Sequence, residues 1–205
     1  MIYDWYTSDN HFGHKNITAY CNRPMNADGL MAKKWRARVG PTDTVLHLGD
    51  FALPDWRIDV DGWWSDLVHS LTGKIFLIPG NHDRAKNLLQ LKRLGVTVIQ
   101  PFVENGVWFT HKPQPTEIVN VHGHIHNNPY PVAIKESKGT YRNVSVEVTD
   151  YQPVTLADLL AGRTGNGPED VGYLTKTTDP EYNKSREYKI GTQLGSSGPK
   201  VRIEG

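Results

Sequence analysis

The sequence predicts one α/β domain with mixed β-sheets, followed by a polar C-terminal segment. Along the first 162 residues, short apolar runs typical of buried strands alternate with helix-length stretches. The later strand-like runs follow one another without a long helix between them, which indicates that parallel and antiparallel pairs occur together. After residue 162 only nine of the remaining 43 residues are apolar, compared with 38% of the whole chain.

The strand-like runs are short, rich in β-branched or aromatic residues, and bounded by turn residues. They lie at 45–48, 75–78, 107–110, 120–122 and 144–148. Helices are predicted at 27–39, 59–71, 84–94 and 155–161. Each predicted helix is followed by a glycine, the residue that best adopts the left-handed conformation after a last helical turn: Gly40, Gly73, Gly95 and Gly162.

The polar segment at 163–205 is predicted to be an extended arm or a disordered extension. It contains too few apolar side chains to offset the entropy lost when a second domain becomes ordered. Its scattered tyrosines and aliphatic residues are nevertheless spaced like anchors. We therefore expect the segment to be a candidate for docking on its own body or on a second copy, which would form a homo-oligomer.

Composition and charge argue against several classes of protein. With 23 basic and 22 acidic side chains, the formal net charge of +1 gives no general attraction to a membrane surface or a long nucleic acid. No apolar run approaches the roughly 20 residues of a membrane span, and the N-terminus lacks the pattern of a signal peptide. The single cysteine, Cys21, cannot form an internal disulfide. These observations predict a cytoplasmic protein.

Side chains that commonly bind metals follow strand-like runs in five places. The five blocks are Asp9-Asn10-His11, Gly49-Asp50, Gly80-Asn81-His82-Asp83, Thr110-His111 and Gly123-His124-Ile125-His126. In an open α/β sheet, ligands bind beyond the carboxyl ends of the strands. Five separate loops are therefore expected to bring Asp, His and Asn side chains to one place.

These residue types favour a pair of metal ions. Two Asp, one Asn and four His exceed the needs of one tetrahedral ion but suit two ions that share a carboxylate. Two ions about 3.5–4 Å apart can stabilise both the attacking and the leaving oxygen during phosphoryl transfer. Each block alone is more often an ordinary turn or helix cap. The conjunction of all five favours the metal site.

The ordered blocks resemble the signature of the calcineurin-like metallophosphoesterase superfamily, which reads D-x-H, G-D, G-N-H-[DE], H and G-H-x-H. The sequence around the first two blocks is similar to that of a branch of small bacterial and phage phosphoesterases. Residues 151–156 are similar to the C-terminal end of that branch. The resemblance covers residues 1–162. It implies that this part is the catalytic domain, folded as a sandwich of two mixed sheets flanked by helices.

The resemblance also implies a role for each residue in the blocks. The first metal ion would be held by Asp9, His11, Asp50 and His126. The second would be held by Asp50, Asn81, His111 and His124. His82 would assist the leaving group, with Asp83 orienting its ring, while a metal-bound hydroxide attacks phosphorus. Manganese is the expected metal, with iron, nickel, zinc and cobalt as alternatives.

Three further residues are candidates for substrate contact: His14, Arg23 and Arg84. His47 and His122 are expected to be supporting residues of the core. The chain departs from its branch at Ser145-Val146-Glu147, where relatives often carry Gly-Val-Asp. Only 12 residues separate His111 from His124, so the loop there is short. Both departures are expected to affect the substrate and not the metal ligands.

The expected function is hydrolysis of a small phosphodiester or nucleotide-type ester. A phosphomonoesterase or phosphoprotein phosphatase is an alternative, but that group typically reads Gly-Asp-x-Val-Asp-Arg-Gly and Gly-Asn-His-Glu. This chain has Phe51-Ala52-Leu53 after Asp50 and ends the other block with Asp83. A non-catalytic scaffold or binding protein is an alternative of another class, although such members usually lose ligands and none is missing here.

Overall fold

Two four-stranded β-sheets form the centre of the computed structural model, which describes residues 3–54 and 60–163. The first sheet contains β1 (Trp5–Thr7), β2 (Thr44–His47), β3 (Lys74–Leu77) and β4 (Thr97–Val98), in that order and all parallel. The second contains β5 (Phe102–Glu104), β6 (Val107–Phe109), β7 (Val119–His122) and β8 (Thr140–Asn143). The β5–β6 pair is antiparallel and the other two pairs are parallel.

The described residues form six helices, five of them between strands and one after β8. They are α1 (Ile17–Tyr20), α2 (Ala27–Arg38), α3 (Val60–Ser70), α4 (Ala85–Arg93), α5 (Val132–Lys135) and α6 (Leu156–Leu160). The four longest correspond to the four predicted helices, whereas α1 and α5 have four residues each and were not predicted. The predicted architecture of two sheets flanked by helices is confirmed.

The first sheet is buried on both faces. Along β2, Val45 packs into the core beneath the helices, while Leu46 packs into the core between the sheets. Successive side chains of a strand point to opposite faces, so a strand covered on both sides reads as a continuous apolar run. The second sheet contributes Phe109 and Val121 to the core between the sheets. This arrangement explains why β2 and β3 were recognisable from sequence.

The helical layer is anchored by tryptophans. Trp35 on α2 and Trp64 on α3 are buried in the core beneath the helices, and Trp63 packs against it. The indole nitrogen of Trp35 donates a hydrogen bond to the carbonyl of Thr72 at 2.9 Å. These tryptophans therefore pack α2 and α3 onto the first sheet.

The predicted strand at 144–148 is wrong. Strand β8 ends at Asn143, and the chain then makes one isolated bridge from Ser145 to Ser8 before it turns. Val144 packs into the core between the sheets, and Val146 into the core beneath the helices. The run is apolar because this loop passes between two cores, and a buried loop has the same composition as a buried strand.

One predicted helix terminus also differs. Gly73, Gly95 and Gly162 have positive φ angles of 86°, 92° and 70°. Helix α2 instead ends on Val39 in an extended conformation, and the amide of Gly40 donates to the carboxylate of Asp43 at 2.8 Å. The predicted arm at 163–205 lies outside the described residues, except for Arg163. No helix of the described residues is both long and apolar enough to cross a membrane.

Gly29→Ala is expected to raise the free energy of unfolding by about 0.5–1 kcal/mol. Gly29 is exposed on α2, and no heavy atom lies within 4 Å of an added Cβ. Urea denaturation measures the change. Gly73→Ala is the matched control and should destabilise, because Gly73 has a φ of 86° and its Cβ would lie 2.7 Å from Val39 Cγ1. A loss of stability in Gly29→Ala would contradict the expectation.

Candidate metal centre

The five predicted blocks converge at the carboxyl ends of five strands, three from the first sheet and two from the second. Backbone hydrogen bonds join the loops. The amide of Asp9 donates to the carbonyl of Gly49 at 2.9 Å, and the amide of His11 donates to that of Asp50 at 3.0 Å. In the second sheet, the amide of Gly123 donates to the carbonyl of His111 at 2.9 Å. Within each sheet, neighbouring loops are therefore joined by backbone hydrogen bonds.

Left-handed backbone conformation is concentrated in these loops, which contain five of the nine such non-glycine residues among those described. Five residues of the predicted ligand set have left-handed φ angles: Asp9 (58°), His11 (50°), Asp50 (57°), His124 (73°) and His126 (52°). Non-glycine residues seldom adopt this conformation because of contacts with Cβ. Such strain persists only where the surroundings impose it, and it is concentrated at functional sites.

The carboxylate of Asp50 lies at the centre of the cluster. Its Oδ1 accepts a hydrogen bond from the backbone amide of His82 at 2.8 Å. Its Oδ2 lies 3.4 Å from Nε2 of His11 and 3.5 Å from Nε2 of His111. One oxygen is thus held by the protein, while the other lies between two imidazoles that come from different sheets.

The two carboxylate oxygens of Asp9 also have different surroundings. Its Oδ2 accepts hydrogen bonds from the amide of His124 at 2.8 Å and from the hydroxyl of Ser145 at 2.9 Å. Its Oδ1 lies 3.9 Å from Nε2 of His126. Again the protein holds one oxygen and leaves the other facing a histidine.

Ligand atoms form two groups around these carboxylates. Those of Asp9, His11 and His126 lie within 4.8 Å of one another. Those of Asp50, His111 and His124 also lie within 4.8 Å of one another. The remaining predicted ligand, Asn81, places Oδ1 3.0 Å from Nε2 of His111. The structure therefore brings all seven predicted ligands together.

Buried atoms in the first group lack hydrogen-bond partners. Among the described residues, Asp9 Oδ1 and both ring nitrogens of His11 are buried without such a partner. Leaving a buried polar group unsatisfied costs roughly 1–3 kcal/mol, so native proteins seldom tolerate several in one place. A divalent cation would satisfy the carboxylate oxygen and an imidazole nitrogen together. The residues present fit a metal ion on this observation.

Two of the imidazole rings are held in one orientation by a hydrogen bond from Nδ1. His111 Nδ1 donates to the carbonyl of Leu48 at 2.7 Å, and His126 Nδ1 donates to Glu147 Oε1 at 2.9 Å. In both rings Nε2 is the nitrogen that faces the carboxylates. Metal-binding histidines commonly use such a contact on the second nitrogen to fix the ring.

The electrostatic environment favours neutral imidazoles at two positions. Burial lowers the pKa of His11 to about 3 and that of His124 to about 4. A neutral imidazole has the lone pair that metal binding requires. Burial opposes ionisation of Asp50, but hydrogen bonding and positive charge from His111 outweigh it and lower the pKa of this carboxyl. Burial raises the pKa of Asp9, and a bound cation would favour its ionised form.

The prediction that Arg23 contacts the substrate is wrong. The side chain is 0% exposed, and Nε and Nη2 donate to Glu147 Oε1 at 2.8 and 2.6 Å. It also donates to the backbone carbonyls of Asp9 and Asn10. Arg23 therefore lies behind the ligands, where it supports the first loop.

Glu147 links this arginine to the candidate centre, because the same Oε1 accepts from His126. The prediction that the departure at Ser145-Val146-Glu147 leaves the metal ligands unaffected is also wrong, since Ser145 and Glu147 contact Asp9 and His126. Ligand atoms of Cys21, His126 and Glu147 form a third close group. The guanidinium of Arg23 already bonds Glu147 there, which disfavours a second cation.

Asp83 has contacts that differ from the predicted ones. Its Oδ2 accepts from the amides of Asp50 and Gly80 at 2.7 and 2.8 Å, and its Oδ1 accepts from the amide of Phe51 at 3.0 Å. Both oxygens are thus occupied by backbone groups, and burial raises the pKa of this carboxyl. Asp83 joins the loop of Asp50 to the loop of Asn81 and does not orient the His82 ring.

The other histidines occupy distinct layers. His82 is half-buried, with its ring centroid 5.1 Å from that of His11. His14 is also near the surface, 5.5 Å from the His11 ring.

His47 is fully buried, where its Nε2 pairs with Asn10 Oδ1 at 2.9 Å and its Nδ1 accepts from the amide of Gly49. His122 is buried against Tyr130. The supporting roles predicted for His47 and His122 agree with these contacts.

Substrate contact remains a prediction for His14 and Arg84. Arg84 is exposed at the N-terminus of α4, beside the loop of Asn81. Sequence reasoning did not identify Ser145, Glu147 or Asn10 as supports of the centre. The signal for Asn10 was its position within the first block, and for Ser145 and Glu147 it was the departure from the branch pattern at these positions.

Arg23→Met is expected to lower the free energy of unfolding by about 3–5 kcal/mol, because it leaves Glu147 as a buried charge without its main cation. Chemical denaturation measures the loss. The matched control is Arg163→Met, which removes an exposed ion pair with Asp158 at 2.7 Å and should cost less than about 1 kcal/mol. Arg23→Lys keeps the charge and should lie between them. Equal losses in the two methionine variants would refute a special role for the buried pair.

Comparison with known proteins assigns the family. The model of the calcineurin-like phosphoesterase family matches residues 5–179. An uncharacterized protein of Methanocaldococcus jannaschii is 34% identical over 167 residues, which cover 75% of this chain and 86% of that protein. The Gene 66 protein of Mycobacterium phage L5 is 39% identical over 88 residues, 40% of this chain and 41% of that protein.

A solved structure provides an independent comparison of the fold. It is a protein of unknown function from Aquifex aeolicus, with a TM-score of 0.62 and 24% identity over 77% of this chain and 97% of that one. At this identity the likeness concerns the fold alone. The family match spans all five loops of the candidate centre, and the chain therefore belongs to the calcineurin-like phosphoesterase family.

Proposed function

We propose that the protein is a dinuclear metal-dependent phosphoesterase that hydrolyses a small phosphodiester or nucleotide-type ester. The observation that carries the proposal is Asp50 Oδ2, which lies 3.4 Å from His11 Nε2 and 3.5 Å from His111 Nε2. A carboxylate oxygen between two groups of ligands suits a bridge between two cations. Membership of a phosphoesterase family supports hydrolysis as the reaction.

The proposed ligands divide into two sets that share Asp50. Asp9, His11, Asp50 and His126 would hold one ion. Asp50, Asn81, His111 and His124 would hold the other. Nitrogen and oxygen ligands together suit manganese, which we propose as the native metal, and also iron, nickel, zinc and cobalt. When bound, the two ions would lower the pKa of a water nucleophile and offset negative charge on the phosphoryl oxygens.

His82 is proposed as the group that assists departure of the alcohol. Its amide is bonded to Asp50 Oδ1, so the position of this residue is fixed relative to the centre. Within the described part of the chain, its ring nitrogens have no hydrogen-bond partner, which leaves the ring free for a substrate. Protonation of a leaving oxygen by a positioned histidine contributes about 10²–10⁴-fold to rate.

Neither Arg23 nor the two residues after Asp50 offer a cationic side chain to a phosphate monoester. A phosphate monoester dianion carries more negative charge than a diester and would benefit from an added cationic side chain. Arg23 is fully buried and bonded to Glu147, so it is not available to a substrate. Phe51 and Ala52, which follow Asp50, are buried in the core beneath the helices and provide no charge. The sequence Phe51-Ala52-Leu53 also departs from the phosphoprotein phosphatase pattern, which supports the diester proposal.

The proposal is tested by loading the protein with Mn²⁺, Fe²⁺, Ni²⁺, Zn²⁺ or Co²⁺ and measuring bound metal and hydrolysis. We expect about two ions per chain and faster hydrolysis of bis-p-nitrophenyl phosphate than of p-nitrophenyl phosphate. A preference for the monoester would favour the phosphatase alternative. Binding of fewer than two ions, or hydrolysis of neither ester, would overturn the proposal and favour a scaffold role.

Asp50→Asn is expected to reduce bound metal from about two ions to fewer than one and to lower kcat/KM at least 100-fold. The amide oxygen has no formal charge and would weaken both sets of ligands at once. Metal analysis and the diester assay measure these effects. Asp66→Asn, at an exposed position on α3, is the matched control and should retain both ions. Full metal content in Asp50→Asn would refute its role as shared ligand.

His82→Ala is expected to retain both ions while kcat falls about 10²–10⁴-fold for an ester with an alkyl leaving group. The fall should be smaller for p-nitrophenol, which leaves without needing a proton. Turnover of the two esters and metal analysis test this. His69→Ala changes an exposed histidine on α3 and serves as control. Equal losses for both leaving groups would contradict a role as proton donor.

A further inference from the structure

A groove opens directly beside the second set of proposed ligands. It has a volume of about 420 Å³, and Asn81 and His111 form part of its lining. Trp108, Pro101, Lys112 and Gln114 also line it. We call this feature the Trp108 groove. Its volume lies within the roughly 300–1,000 Å³ typical of sites for small organic ligands.

The aromatic wall of the Trp108 groove follows from the alternation of β6. Val107 and Phe109 are buried in the core between the sheets. Trp108 lies between them in sequence, so its side chain points to the opposite face of the second sheet, where it is half-buried. A strand residue therefore presents a flat indole on a rigid element next to the candidate centre.

A buried asparagine holds this wall in place. Asn120 is 0% exposed. Its Nδ2 donates to the carbonyl of Trp108 at 2.8 Å and to Thr110 Oγ1 at 3.0 Å. Its Oδ1 accepts from the amide of Gln114 at 3.0 Å. One side chain thus fixes three residues that line the groove, including one from the short loop between His111 and His124.

The chemistry of the lining indicates the class of ligand. Trp108 offers an aromatic face for stacking, and Gln114 offers a side-chain amide. Within the described part of the chain, neither the indole nitrogen of Trp108 nor that amide makes a hydrogen bond. Lys112 adds a positive charge, and none of the described residues that line the groove is acidic. A planar group with hydrogen-bonding edges, attached to an anion, matches all three features.

We propose that the Trp108 groove binds the nucleoside portion of the substrate, with Trp108 stacking on the base and Gln114 bonding its edge. This inference rests on the proposed phosphoesterase function, since the phosphate would lie at the adjoining centre. Every base presents a π-face, and its edge presents donors and acceptors that an amide can match. Trp108 and Gln114 are thereby specificity-determining residues.

A second cavity near the centre fits this role less well. It has a volume of about 580 Å³ and is lined by His14, Asp28 and Met25. Among the described residues of its lining, no aromatic ring other than that of His14 is present, and the carboxylate of Asp28 offsets the positive charge of Lys15. Asp28 is moreover occupied, since it accepts from the amide of Gly13 at 2.7 Å.

Two diesters with the same leaving group test the proposal: thymidine 5′-(p-nitrophenyl phosphate) and methyl p-nitrophenyl phosphate. The metal-loaded protein should show a kcat/KM at least tenfold higher for the thymidine ester. Trp108→Ala should lower kcat/KM for that ester about tenfold. The value for the methyl ester should stay within twofold of that of the unmodified protein. Trp108→Phe keeps a stacking ring and should restore most of the preference. Gln114→Ala, which changes a loop residue, should lower kcat/KM for the thymidine ester several-fold.

Calorimetry with thymidine 5′-monophosphate and inorganic phosphate gives a second readout that needs no turnover. Tighter binding of the nucleotide, lost in Trp108→Ala or Gln114→Ala, supports the proposal. Equal kcat/KM values for the two diesters overturn the proposal. An equal loss of kcat/KM for both diesters in Trp108→Ala also overturns it, because the groove would then hold the leaving group that they share. If neither diester is hydrolysed, the phosphoesterase function fails, and nucleotide binding no tighter than phosphate rejects the groove independently.

Discussion

The carboxylate of Asp9 joins the two sheets at the point where the candidate centre forms. Asp9 follows a strand of the first sheet, yet its Oδ2 accepts from the amide of His124 and the hydroxyl of Ser145, which belong to the second. A buried carboxylate must be solvated by the protein, and here the other sheet provides that solvation. The remaining oxygen stays available, so the contact that closes the fold also leaves a ligand atom exposed to the centre.

Close approach of these loops explains the glycines of the motif blocks. A Cβ on Gly123 would collide with Ser8 Oγ and Asp9 Oδ2, and one on Gly80 would collide with Asp50 Oδ1. Any side chain at either position would push a carboxylate out of place. Packing against the ligands therefore requires Gly80 and Gly123, and their own backbone conformation does not. Asp9 and Asp50 have left-handed φ angles, whereas these two glycines do not.

Sequence was informative where burial produces a distinctive pattern. Parallel strands such as β2 are covered on both faces and were located to within a residue, and the five blocks could be placed after strands. The prediction of a strand at 144–148 was wrong because a loop between two cores is as apolar as a strand. The predicted substrate contact of Arg23 was wrong for another reason. Arginine is usually exposed, and the partner of this one, Glu147, is 124 residues away in the chain. No local pattern reveals a contact at that separation.

That separation has a consequence for how the protein is made. Arg23 precedes almost the whole domain, whereas Glu147 follows the last strand. A chain emerging from the ribosome must therefore carry an arginine whose native site is incomplete until nearly all of the domain has been synthesised. Burial of the lone guanidinium is unfavourable in the interval. During synthesis, the loop of Asp9 and His11 can therefore gain the support of the Arg23–Glu147 pair only after Glu147 has emerged.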